Sequence, residues 1–378
     1  MKKKVLFIKP LIKGYRLDFF SQLNESLEKK NIDLTVAYGV PDSSQHKKKD
    51  NFYPTNNYYR KIFSHYFFYD KIYFQWPGLK LILSSDLIIV VNANRHLLNY
   101  ILLFFQFIGI SKVAFWGHDK NYQQKKFSFF EKFKKFIIKK PSYWFAYTND
   151  MKKRLISNGY SSSKITVINN TLNTIKLSKS INSLKVEKIN KIKKALRIKT
   201  NDIVALFCGS LYQDKKIDFL IETASQIYLT NKNFRLLIIG DGPYKSQMNS
   251  LISNKEYISY VGPIFNDDRF IYFKISNIIL NPGLVGLGIF DAFVSRKPFF
   301  TLKDSPHSPE IFYLKNNFNG FIVDGDLHNY VERIHQIIKD KNKRNLISQN
   351  AFHTSMKYTL EKMVSNTVSG ILIALNIK

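Results

Sequence analysis

Short apolar runs recur along the chain, each closed by glycine, asparagine, proline or a charged residue. In the first half they lie at residues 5–8, 32–38, 87–91, 113–116, 143–148 and 165–168. Segments with helical spacing, such as 18–30 and 151–157, fall between them. Strands that alternate with helical segments predict βαβ units and a parallel sheet. A second series follows at 203–209, 234–240, 258–261, 278–280, 299–302 and 321–323. The pattern therefore predicts two α/β sheets in tandem, which suits a chain of 378 residues, beyond the size at which one core usually keeps growing.

Residues 174–190 lack a clear strand and are rich in Lys, Ser and Asn, which reads as a solvated linker leading into a helix. The predicted domains are 1–175 and 190–350. A tail at 351–378 carries apolar residues at helical spacing, among them Phe352, Met356, Leu360, Met363, Val364 and Val368, and is expected to pack back on the first domain. The longest apolar stretch, 97–110, is interrupted by Asn99, Tyr100 and Gln106 and falls short of a bilayer span. At the start, the apolar run after Lys2, Lys3 and Lys4 is too short for a signal peptide and reads as a first strand. A cytoplasmic location is the expectation.

Charge changes this picture. The formal net charge is +30, and a surface so basic attracts polyanions: nucleic acid, anionic lipid or phosphorylated small molecules. The one cysteine, Cys208, excludes an intramolecular disulfide and a Cys-rich zinc site. Between Lys125 and Lys140, Phe129, Phe130, Phe133, Phe136 and Ile137 share one helical side ringed by lysines. Such a helix either lies in anionic head groups or turns its Phe face to the core.

In open parallel sheets, ligands bind beyond the carboxyl ends of the strands. Three loops there could carry chemistry. The first, Gly209-Ser210-Leu211 through Lys215-Lys216, places lysine before a helix start, where a point charge joins unpaired backbone N–H groups as in phosphate sites. Taken alone, it also reads as a solvated lysine pair. The second, Gly240-Asp241-Gly242-Pro243, is a glycine turn that permits close backbone approach. The third runs from Asn281 through Gly286-Leu287-Gly288 to Asp291, whose carboxylate can accept paired ribose hydroxyls while the N–H groups take a diphosphate.

Together these loops resemble retaining glycosyltransferase family 4, whose second domain carries Gly-Arg-Leu-x-x-x-Lys-Gly, then Gly-Asp/Glu-Gly-Pro, then Gly-Leu-x-x-x-Glu-Ala. The matching residues here are Gly209-Ser210-Leu211 with Lys215 and Lys216, then Gly240 to Pro243, then Gly286, Leu287, Asp291 and Ala292. Pro309-Glu310 and Asn319-Gly320-Phe321-Ile322-Val323 continue the likeness. In the first half, Tyr15-Arg16, Trp116-Gly117-His118 and 165–171 are similar to a polysaccharide, O-antigen and capsule assembly branch. Three departures stand out. Ser210 replaces the family's arginine, leaving Lys216 as its substitute, Gly283 stands where the first of two glutamates is expected, and His307-Ser308 replaces a glycine pair.

The resemblance implies the GT-B architecture, two facing Rossmann-like domains with a deep cleft. It also implies sugar transfer from a nucleotide-sugar to a lipid-linked or oligosaccharide glycan acceptor, with retention of configuration and without a metal or other cofactor. By the same resemblance His118 and Lys215 are catalytic. Gly209, Ser210, Lys216, Gly240, Gly242, Gly286, Leu287, Asp291 and Glu310 hold the donor. Apart from the resemblance, Gly14 and Arg16, with Lys13, in the first strand-to-helix loop are expected either to meet an anionic part of donor or acceptor or to be plain surface charge. An anionic membrane surface is the expected second partner, giving peripheral association with the inner face of the cytoplasmic membrane. Nucleic acid is not expected, since the aromatics follow strand periodicity and do not interleave with basic residues. A sugar-nucleotide epimerase of the same fold is the remaining alternative, with a nucleic-acid-binding protein behind it.

Overall fold

The computed structural model describes residues 2–42, 52–118 and 139–377. The chain divides into two units, Met1–Leu172 with Leu360–Lys378, and Asn173–Thr359.

In the first unit β1 (Lys3–Lys9), β2 (Ile32–Tyr38) and β3 (Tyr59–Lys61) pair side by side. A separate antiparallel ribbon follows, β4 (Phe63–Phe67) and β5 (Ile72–Trp76). The chain then returns to the other side of β1 with β6 (Leu87–Val91), β7 (Val113–Gly117), β8 (Tyr143–Ala146) and β9 (Ile165–Val167). The parallel sheet has the order 3-2-1-6-7-8-9, so its direction of winding reverses at β1 and β6. Val5, Leu6, Phe7 and Ile8 are all buried, as a central strand covered on both faces requires.

Helix α1 (Leu17–Glu28) lays Phe19, Phe20, Leu23 and Leu27 on this sheet. After it come α2 (Leu79–Leu83) and α3 (Leu98–Phe107), the latter occupying the long apolar stretch. Helix α4 (Asn149–Ser157) starts where Thr148 accepts a hydrogen bond from the Met151 N–H at 3.3 Å. Thr148 thus leaves the strand expected at 143–148 and becomes a cap. Among the described residues no helix is long and apolar enough to cross a membrane. The basic Phe-rich segment expected to be amphipathic lies, from 125 to 138, outside the described residues.

The second unit repeats the theme with β10 (Ile203–Cys208), β11 (Phe234–Ile239), β12 (Ile258–Gly262), β13 (Ile278–Leu280), β14 (Phe299–Leu302) and β15 (Gly320–Val323). Their order is 12-11-10-13-14-15, all parallel, with the reversal between β10 and β13. The expected linker is instead two helices of this unit, α5 (Thr174–Asn182) and α6 (Val186–Ala195). Asn173 caps the first, accepting from the Lys176 N–H at 3.1 Å, so a composition read as solvated hid a helix start. Ser180 to Asp267 and Lys188 to Asp268, both 2.6 Å, tie these helices down.

Helices α7 (Ile217–Thr230), α8 (Lys245–Ile252), α9 (Arg269–Ile275), α10 (Ile289–Val294), α11 (Leu327–Lys339) and α12 (Lys341–Lys357) complete the second unit. The tail expected from 351 is not one helix. It breaks at Tyr358 and Thr359, where α12 stays with the second unit and α13 (Leu360–Leu375) joins the first. Leu360, Met363, Val364 and Ile371 enter the first core, and α13 lies against α1. Burial of those side chains, each contributing about 1.5–3 kcal/mol, decides the split.

Candidate functional site

The reversal between β10 and β13 separates two strand-to-helix loops and leaves space between them at the carboxyl edge. After Cys208 the first loop turns through Gly209 to Leu211 and tightens into a 3-10 turn, Gln213–Lys215. Lys216 then takes the left-handed conformation, φ 53°, at the position where the resembled family has glycine, and α7 begins. The Gly240–Pro243 turn presses against this loop from β11. Leu211 N–H donates to Asp241 O at 2.9 Å, and Tyr244 N–H to Leu211 O at 3.0 Å. A Cβ at Gly240 would stand 1.9 Å from Gly209 O, and one at Gly242 2.2 Å from Leu211 O. Both glycines, expected to bind the donor, shape the loop beside them.

The second loop is bolted to the first. Lys215 Nζ donates to Leu284 O at 2.5 Å, and Leu284 N–H donates to Asp214 O at 2.8 Å. Between them Gly283 lies so close that a Cβ there would be 2.1 Å from Asp214 O and 2.4 Å from the Lys215 carbonyl carbon. The glutamate absent from this position would have no room. From the other side Ser305 Oγ donates to Pro282 O (2.8 Å), and Thr301 Oγ1 to Gly283 O (3.2 Å).

His307, replacing one glycine of the family's pair, has a structural task. Its Nδ1 accepts from the Val285 N–H at 3.3 Å, its Nε2 sits 2.7 Å from Leu302 O, and Ser308 N–H donates to Val285 O at 3.0 Å. That pair of contacts assigns the neutral tautomer with the proton on Nε2. Desolvation holds its pKa below the usual imidazole value, partly opposed by the bond to Leu302, with Lys215 and Lys216 lowering it further. Val285 is therefore gripped on both backbone groups. The N–H groups of Gly286, Leu287 and Gly288 follow it and make no hydrogen bond to described residues.

Lys215 is only 9% exposed, and burial brings its pKa down to about 8 against the raising effect of Cys208 and Asp214. Cys208 is pushed up to about 12, by burial first and then Asp291, against Arg269 and Lys215. The thiol is accordingly neutral, and Lys215, Arg269 and Asp291 share its neighbourhood.

Arg269 is the residue sequence reasoning missed. Its Nε and Nη2 lie 3.2 and 3.1 Å from the two Asp291 oxygens, a bidentate pair with side chains 17% and 13% exposed. Its ring neighbour Phe270 lies 4.4 Å away, and Nη1 donates to Asn266 O at 3.0 Å. No spacing motif marks Arg269; only the fold brings α9 beside α10. A carboxylate offers about four lone pairs, so Asp291 keeps two for an incoming diol. Lys216, expected to replace the family's arginine, instead lies 3.4 Å from Asp304 O. Ser210 is exposed and Gly209 half-buried beside it. Glu310 is buried in the 3-10 turn Pro309–Tyr313.

The first unit holds the other predicted residues. His118 follows β7, with Asn92 donating to its carbonyl at 2.7 Å and Tyr147 edge-on at 5.1 Å. Gly14 is exposed, with nothing within 4 Å of an added Cβ. Arg16 turns inward, donating to Asn170 Oδ1 and lying 3.6 Å from Met363 Sδ, and so clips α13 to its own unit. In this conformation it does not face solvent. Among the described residues, no group of three or more His, Cys, Asp or Glu side chains could hold a metal.

Two doubly wound parallel sheets, each with loops gathered at a reversal point, define a two-body Rossmann-like protein. Residues 188–354 match the family described as Glycosyl transferases group 1, so the second unit carries a glycosyltransferase domain. The alpha-monoglucosyldiacylglycerol synthase of Acholeplasma laidlawii is 26% identical over 154 residues, 39% of this chain and 36% of that protein. The chain thus matches little more than a third of the length of that relative.

Solved structures resemble it end to end. HepE from Anabaena, in complex with UDP and glucose, is 14% identical with a TM-score of 0.68, covering 98% of this chain and 99% of that one. A glycosyltransferase from Rickettsia africae is 16% identical with a TM-score of 0.70, covering both chains completely. At such identities the likeness shows the fold alone, and that fold is GT-B.

Proposed function

We propose that this transferase moves a sugar from a nucleoside diphosphate donor to a glycan acceptor carried on a lipid, with retention of configuration, in building a bacterial surface polysaccharide. The observation that carries the reading is the reversal-point site of the second unit: buried Lys215 bolted to Leu284, three unengaged N–H groups at Gly286–Gly288, and Asp291 oriented by Arg269.

Breaking the bond from sugar to diphosphate puts negative charge on the leaving group. Lys215 and the N–H dipoles meet that charge already oriented. Asp291 accepts the ribose hydroxyls and sets the register of the diphosphate against Lys215. Since Lys215 supplies the charge, the reading needs no metal. His118 acts on the sugar side, and Glu310 and Ser210 complete the donor's surroundings. UDP and glucose in the HepE complex support a uridine donor, and the Acholeplasma synthase, by its name, supports a lipid acceptor.

Screening UDP-, GDP- and dTDP-sugars for binding and hydrolysis tests the reading, with Lys215→Ala and Asp291→Asn as variants. No donor bound, or full activity in both variants, would sink it.

A further inference from the structure

The antiparallel ribbon β4–β5 has two unlike faces. Its inner face is tied to loops at the carboxyl edge of the first sheet: Gln75 donates to Pro10 O at 2.9 Å, Tyr66 Oη to Val40 O at 2.6 Å, and Leu97 N–H to Tyr73 O at 2.9 Å. The register pairs Phe63 with Trp76, His65 with Phe74 and Phe67 with Ile72 across the outer face. On β4 those side chains are exposed, whereas on β5 they are half-buried and Phe74 and Trp76 pack against the first unit's core. Side chains alternate between faces along a strand, so a ribbon with one anchored face would ordinarily show polar residues on the other.

The tip is more unusual still. Phe68, Tyr69 and Asp70 all have positive φ, 51°, 54° and 65°, a conformation that costs a non-glycine residue free energy at each step. That backbone holds Phe68 72% exposed and Tyr69 fully exposed. Arg60, Lys61 and Lys71 are exposed on the ribbon and its base, and Asp70 is the one acid of the segment 58–76.

We propose that the tip of this ribbon and the exposed β4 side chains Phe63 and Phe67 insert into the head-group layer of an anionic bilayer. Aromatic side chains among lysines suit that layer, where rings meet acyl chains and cations meet phosphates. The ribbon hangs from the loops after β1, β2 and β6, so the contact lies at the ligand end of the first unit, where an acceptor on a lipid would arrive. The proposal rests on the lipid-linked acceptor proposed above and names the surface by which the chain reaches it.

The test uses the full chain with vesicles of phosphatidylcholine alone and of phosphatidylcholine with phosphatidylglycerol. Wild-type chain is expected to sediment with the anionic vesicles, and a Phe68→Ser, Tyr69→Ser double variant to partition about tenfold more weakly. In a Tyr69→Trp variant, brominated lipid should quench the added fluorescence. Sedimentation without quenching at position 69 would overturn the assignment, as would unchanged partition of the double variant or absence of vesicle binding. A chain that doubles in mass without lipid and returns to monomer in the double variant would make the face a contact between copies, also overturning it. Donor hydrolysis in solution should be the same in wild type and the double variant. A donor-active chain that ignores vesicles therefore refutes the ribbon proposal alone, whereas a chain binding no donor refutes the transferase reading.

Discussion

Replacing Gly283 by alanine adds one methyl group at the point where the two loops of the candidate site touch. That carbon would lie 2.1 Å from Asp214 O, 2.4 Å from the Lys215 carbonyl carbon and 2.5 Å from Lys215 Cα. All three are backbone atoms, so no rotamer relieves the clash and one loop must retreat. Overpacking of this sort costs about 1–3 kcal/mol. The retreat also strains the Leu284 N–H bond to Asp214, worth about 1 kcal/mol net, and the charged bond from Lys215 to Leu284, worth about 1.5–3 kcal/mol. A loss of about 3 kcal/mol is expected, which lowers the second unit's unfolding midpoint by roughly 6–12 °C. Nucleotide affinity should fall by about 100-fold if the same loop shift reaches Lys215 and Gly286. Gly286→Ala is the internal control, since nothing lies within 4 Å of its added carbon. Calorimetric unfolding and titration with UDP read both effects. A Gly283→Ala chain as stable and as tight-binding as wild type would contradict the clash at Asp214.

Lys215→Ala should lower kcat about 100- to 1000-fold, the scale of losing one charge aimed at a leaving group, measured by donor hydrolysis. Because burial sets the Lys215 pKa near 8, its cation disappears as pH rises through about 8; kcat/KM should fall there, and the limb should vanish in Lys215→Ala. Protonation of His307 removes the acceptor for the Val285 N–H. Its lowered folded pKa means that the unfolded chain takes up the proton first as pH falls below 6.5, so stability is full above that value and declines below it. His307→Ala should flatten that acid limb in pH-dependent unfolding. Arg269→Lys replaces a fork by a point charge, and about tenfold weaker UDP binding is expected, with little change for the 2′,3′-dideoxy analogue; equal losses for both nucleotides would detach Arg269 from the ribose.

The alternation of apolar runs located all of the long parallel strands, because a strand buried on both faces leaves an unbroken β-branched run. Glycine and lysine spacing likewise marked the loops of the second unit. Other features were illegible for local reasons. The ribbon fell outside every apolar run, the Asn173 cap was lost in a polar stretch, and one helical period ran from 351 through a break at Tyr358 and Thr359.

The amino-acid order thus marked two Rossmann-like bodies and the glycine- and lysine-bearing loops of the second, since periodicity and short motifs are properties of neighbouring residues. What those residues do to one another was set by how the chain packs. It put Arg269 on Asp291 across 22 positions of chain, turned Arg16 inward onto Asn170 and Met363, and made Gly283 a steric necessity against Asp214. Pairing, burial and clash between residues distant in sequence depend on packing, which no local pattern carries.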